Sequence, residues 1–101
     1  MQKRPIRSGR PTGTTTYEPE PAQAFGNAVR AFRAKNCLAQ ENLAHLAGVD
    51  RSHIGKIERG EHMPTLAMIL RLASALNCAA SELIAETERI LKRAGKSCGE
   101  D

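Results

Sequence analysis

A chain of 101 residues is long enough for one compact domain and a tail, not for two domains. Its 15 Lys and Arg against 11 Asp and Glu leave a formal net charge of +4, an excess that suits an anionic partner but excludes a uniformly basic body. Cys37, Cys78 and Cys98 are odd in number and widely spaced, which excludes a disulfide framework and a zinc pattern.

Cys37 and Cys78 fall among apolar helical residues and are expected to be buried, reduced thiols. No stretch is long and apolar enough to cross a membrane. The basic N-terminus has no apolar run behind it, so it is not a secretory signal. A cytoplasmic protein with no membrane partner is expected.

Residues 1–21 hold Pro5, Pro11, Pro19 and Pro21, with Gly9, Gly13 and three consecutive threonines. They contain four basic and two acidic residues and no apolar period. Such a segment cannot bury enough surface to offset its ordering entropy, so a flexible basic arm is expected there. From residue 22 the pattern is helical. Phe25, Val29 and Phe32 recur at spacings of four and three, on one face of a first helix ending near Asn36. A short second helix is expected from Gln40 to Ala47, with Leu43, Ala44 and Ala47 inward, stopped by Gly48 in a left-handed conformation. Asp50 is a good N-cap for a third helix, Arg51 to Arg59, with Ile54 and Ile57 inward and Gly60 closing it.

Thr65 is the expected cap of a fourth helix, whose inward face is Leu66, Ile69, Leu72, Ala73 and Leu76, with Asn77 as left-handed terminator. A fifth helix begins near Ala80 and carries Leu83, Ile84, Ile90 and Leu91, either as core or as a dimer seam, the later residues favouring the seam. Five helices without strand or repeat predict an all-α, orthogonal five-helix bundle over residues 22–95, followed by a frayed tail at 96–101.

The pair of short helices around Gly48-Val49-Asp50 is the informative feature. Two helices crossing through a tight turn need a small residue at the crossing, here Ala44. They also need a glycine at the turn, an apolar residue after it, and inward apolar residues on the second helix, here Ile54 and Ile57. The outward residues are then Arg51, Ser52, Gly55, Lys56 and Arg59, with His53 at the flank. These are basic, hydrogen-bonding or small, as a helix entering the DNA major groove requires.

Residues Phe25 to Leu83 resemble the phage-repressor helix-turn-helix family, of Cro/cI or XRE type. The resemblance rests on Gln40-Glu41-Asn42-Leu43-Ala44, Gly48 to Ser52, Ile57-Glu58-Arg59-Gly60 and Leu72 to Leu76, in the right order. It implies a five-helix DNA-binding domain that works as a dimer on double-stranded DNA. It implies that Gln40 contacts a phosphate, that Arg51, Ser52 and Lys56 read bases, and that His53 and Arg59 touch the flanking backbone. It also implies a structural ion pair between Arg33 and Glu58. Gln40 stands at a helix N-terminus, a natural anion site.

Three residues depart from that family's pattern. Ala39 replaces the usual Ser or Thr cap of the second helix, at a cost of ~1 kcal/mol. Cys37 stands where the family often has Gly. Gly55 sits inside the recognition helix, where it costs ~1 kcal/mol relative to alanine and removes a contact.

His45, His53 and His62 lack metal-ligand spacing, and no serine, cysteine or carboxylate has a catalytic neighbour, so neither a metal, a cofactor nor an enzymatic activity is expected. There is no room for a separate ligand-binding domain, so no small-molecule ligand is expected. The expected function is that of a homodimeric, sequence-specific transcriptional regulator of the repressor type, binding a palindromic operator. Within the same fold, a restriction-modification controller protein and an antitoxin remain open. From another class, so does a protein-interaction module that does not bind DNA.

Overall fold

The computed structural model describes residues 18–94. The expected arm up to residue 17, and the segment from residue 95 that includes Cys98, lie outside the described residues. Five helices follow in order: α1 (Pro19–Lys35), α2 (Gln40–Ala47), α3 (Arg51–Glu58), α4 (Leu66–Ala75) and α5 (Ala80–Ala94). Pro19 and Pro21, expected in the arm, lie instead in the first turn of α1. Proline is tolerated there because the first N–H groups of a helix have no partner in any case, and its fixed φ suits the helix.

The core is built from one stripe of each helix. Phe25, Ala28 and Val29 of α1 meet Leu43, Ala44 and Ala47 of α2, Ile54 and Ile57 of α3, Leu72 and Ala73 of α4, Leu76 beyond it, and Leu83 of α5. Helix α1 packs against α3 and α5, α2 against α3 and α4, and the chain turns by 105° between α4 and α5. All regular structure among the described residues is helical, in the expected orthogonal bundle. No single helix there is long and apolar enough to cross a membrane.

Four helices end in the same way. A left-handed residue reverses the chain, and the next N–H bonds back to the carbonyl five residues earlier. These bonds are Leu38 N to Arg33 O, Val49 N to Ala44 O, Glu61 N to Lys56 O and Cys78 N to Ala73 O, at 2.8–3.0 Å. The left-handed residues are Cys37 (φ 54°), Gly48 (75°), Gly60 (74°) and Asn77 (60°). Gly48, Gly60 and Asn77 stand where the sequence puts terminators. Cys37 occupies a glycine's position with a side chain that the left-handed conformation disfavours.

That geometry also corrects the expectation for its thiol. Cys37 is exposed, because the terminating residue has already left the inward face of α1. Cys78 is half-buried, and that burial pushes its thiol pKa up, with Glu82 adding to the effect and Lys35 opposing it.

Two further expectations change. Leu66 is 70% exposed, because it is the first residue of α4, beyond the edge of the core; Leu72, Ala73 and Leu76 carry the inward face. Leu76 and Leu83 are buried. Ile90 is half-buried and packs against the core, since α5 lies along α1. Ile84 stays on the surface, and so does Leu70, which is 52% exposed.

Candidate nucleic-acid interface

Helices α2 and α3 cross where Ala44 is nearly fully buried, Gly48 makes the turn and Val49 packs against the core. Burial of Ile54 and Ile57 fixes which face of α3 looks outward. Arg51, Ser52 and Lys56 are exposed on that face, and Arg59, one residue past the helix, is exposed as well. Asp50 takes the extended conformation of an N-cap, but its side chain makes no capping hydrogen bond, and Ala39 has none to offer α2.

Glu58, the only acid within α3, points the other way. It is 3% exposed, and its carboxylate accepts from Arg33 Nε at 2.7 Å and Nη2 at 3.0 Å, in a two-pronged pair. A third donor is Gln40 Nε2, at 2.9 Å from Oε1. Arg33 also donates through Nη1 to the Leu38 carbonyl at 2.9 Å, and Arg30 Nη2 donates to the Glu58 backbone carbonyl at 3.1 Å. The hydrogen bonds and charge of Glu58 raise the pKa of Arg33. One buried carboxylate thus ties the end of α3 to α1 and to the start of α2. It also commits one Gln40 amide hydrogen.

The outward face holds a second arrangement that the pattern of apolar residues does not disclose. Gly55 is buried, not outward as expected. The Arg59 guanidinium folds back over it, so that a Cβ at residue 55 would lie 3.0 Å from Nη1. Glu61 holds the guanidinium from the other side, accepting from Nε at 2.9 Å and from Nη2 at 3.2 Å. The hydrogen bond to Arg59 lowers the Glu61 pKa, with the charges of Arg59 and Lys56 adding to it; Arg59 is raised in turn. The available signal was a glycine at i, an arginine at i+4 and an acid two residues further on.

His53 is half-buried. Its ring meets His62 edge-on at 4.7 Å between centroids, and its Nε2 is buried. His45 takes no part in that contact. Among the described residues no group of three or more His, Cys, Asp or Glu is placed to hold a metal ion.

Comparisons with known proteins agree with this geometry. Control protein C.SmaI of Serratia marcescens is 43% identical over 56 residues, which are 55% of this chain and 67% of that protein. The HTH-type transcriptional regulator YazB of Bacillus subtilis is 40% identical over 62 residues, covering 61% of this chain and 90% of YazB. Among solved structures, the restriction-modification controller protein C.AhdI of Aeromonas hydrophila superposes with a TM-score of 0.60 at 44% identity. That match covers 61% of this chain and 94% of C.AhdI. The helix-turn-helix family model HTH_3 matches residues 29–83, from the middle of α1 to the first buried leucine of α5, and the chain belongs to that family.

Proposed function

We propose that the protein is a sequence-specific DNA-binding transcriptional regulator of the repressor type, acting in the cytoplasm as a homodimer on an approximately palindromic operator. The observation that carries this reading is the sorting of charge on α3. Arg51 and Lys56 face outward with Ser52, while the one acid of the helix is turned inward and neutralised by Arg33. An α-helix with that face fits the major groove, where Arg pairs with guanine O6 and N7. Arg51, Ser52 and Lys56 reach base edges, and Gln40 and His53 flank them on the backbone side.

A single short helix reads too few base pairs to specify a site, whereas a two-fold dimer places two such helices about 34 Å apart, one DNA turn. Ile90 is partly packed on the core, and the most exposed apolar side chains of α4 and α5 are the outward leucines of α4, where we place the seam. Leu66 and Leu70 lie one turn apart on the same face.

The test is binding across a range of salt concentrations. Each phosphate neutralised contributes a slope of about −0.9 to the log–log plot for duplex DNA, so a clearly negative slope is expected. Affinity indifferent to salt would remove the DNA-binding reading and favour a protein-interaction module. A more specific version, a restriction-modification controller, is supported by the likeness to C.SmaI and C.AhdI. Sites selected from a random DNA pool that map upstream of a restriction-modification locus would establish it.

A further inference from the structure

We propose that residues 1–17 are a second DNA-binding element, which meets the phosphate backbone beside the recognition helix and supplies most of the protein's sequence-independent affinity. This rests on the DNA-binding reading above. Residues 1–17 hold Lys3, Arg4, Arg7 and Arg10 and no acid. They account for the whole formal net charge of +4, because the chain from residue 18 onward carries 11 basic and 11 acidic residues. Pairing inside the fold thins the remainder: Arg33 is held by Glu58, Arg59 by Glu61 and Arg89 by Glu86. A body without net charge attracts a polyanion only through local contacts, here chiefly Arg51 and Lys56.

The fold delivers that charge to the right place. Helices α1 and α3 touch at two points that fix their relative direction. A Cβ at Gly26 would meet the carbonyls of Ile57 and Glu58, and a Cβ at Gly60 would lie 2.9 Å from the Gln23 Cα. Followed towards its start, α1 therefore passes the last turn of α3 and then the residue that closes it. Pro19 is only about 6 Å further along the axis, at 1.5 Å per residue. Glu18, Pro19 and Glu20 are exposed, so the preceding residues join the fold at the surface, near the end of the recognition helix.

Glu18 and Glu20 disfavour phosphate at the junction itself, so the contact falls to the basic residues further out. Arg10 is eight positions from Glu18 and Lys3 fifteen. At no more than about 3.3 Å per residue, eight positions span up to about 26 Å, roughly twice the ~12 Å width of the major groove. Phosphates on either side of a groove occupied by α3 are within that reach. Tethering makes this second contact intramolecular, so even weak ion pairs add to affinity once α3 is seated.

The experiment compares the full wild-type chain with a variant combining Lys3→Gln, Arg4→Gln, Arg7→Gln and Arg10→Gln, on an operator selected from a random pool and on a random duplex. The melting temperature should hold, because the buried core begins at Ala22. The log–log salt slope should become shallower by up to about 3.6 per protomer, at about 0.9 per phosphate, and affinity for random duplex should fall at least about tenfold. Preference for operator over random duplex should be retained, because phosphate contacts carry no sequence information. Hydroxyl-radical footprinting should show backbone protection that the variant loses.

An unchanged slope and footprint in the variant would overturn the proposal. So would a loss confined to the operator, which would make these residues base readers. Binding to phosphatidylserine vesicles that the variant loses while its DNA binding is untouched would overturn it as well, and give residues 1–17 to a membrane surface. Wild-type protein that fails to bind DNA in a salt-dependent way would instead sink the DNA-binding reading itself.

Discussion

Gly26 on α1 stands directly against the end of the recognition helix: a Cβ at residue 26 would lie 2.6 Å from the Glu58 carbonyl oxygen. The opposing atoms are backbone, held in turn by Arg30 and by the Arg33–Glu58 pair. They cannot swing aside as a side-chain tip would. Gly26→Ala is therefore expected to force α1 and α3 apart and to destabilise the domain by about 2–3 kcal/mol, despite alanine's better helix propensity. Thermal denaturation checks this. An unchanged melting temperature would mean that the close approach is absent in solution.

Glu58 and Arg51 should separate stability from binding. Glu58→Ala removes the acceptor for both Arg33 and Gln40 and leaves a mostly buried guanidinium without its carboxylate, at an expected cost of about 3 kcal/mol. Arg51→Ala and Lys56→Ala remove exposed side chains and should leave the melting temperature alone. They should weaken operator binding by about 1–3 kcal/mol each. Paired denaturation and binding curves decide the matter. A variant at residue 51 that loses helicity in step with binding would contradict the outward placement.

Cys37 offers a change in the opposite direction. Its φ of 54° is one that a Cβ disfavours, and its side chain is exposed, so little packing is lost on removing it. Cys37→Gly should stabilise the domain by about 0.5–1 kcal/mol. The gain at Asn77→Gly should be smaller, because asparagine tolerates this conformation better than most residues. Chemical denaturation of the two variants side by side gives the comparison.

The dimer can be tested without disturbing the fold. Leu66→Glu and Leu70→Glu place a charge on surface positions of α4 and should give a helical monomer in sedimentation, with much weaker operator binding. Truncation after Thr87 is a different experiment: it strips Ile90 from the core and should lower the melting temperature. Dimers that survive both leucine changes would move the seam away from α4.

Much of the bundle was legible in the sequence because helix periodicity and left-handed terminators are local. Phe25 and Val29, or Gly48 and Asn77, declare their roles within a few residues. The errors came where a residue's surroundings are set by tertiary placement. Leu66 has the right period for the core but stands at its edge. The packing of Ile90 depends on α5 lying along α1, which its spacing does not disclose. At the site, outward residues followed from the inward ones, but the partners of Gln40 and Arg59 did not. Gln40 meets Glu58 across the helix-turn-helix, and Arg59 meets Gly55 through its rotamer, neither of which leaves a trace in spacing.

The N-termini of the helices are not equally secured. Thr65 accepts from the Met68 N–H at the start of α4, and Glu82 accepts from the Ala79 N–H at the start of α5, while Ala39 and Asp50 give α2 and α3 no side-chain bond of this kind. In hydrogen-exchange terms, the first-turn amides of α2 and α3 should open and exchange sooner than those of α4 and α5. Helix α1 lacks such a bond as well, so the uncapped starts are those of α1 and of the two helices proposed to face DNA. A bound phosphate backbone would supply the missing acceptors, so the slowest-exchanging state of this domain is expected to be the one on its operator.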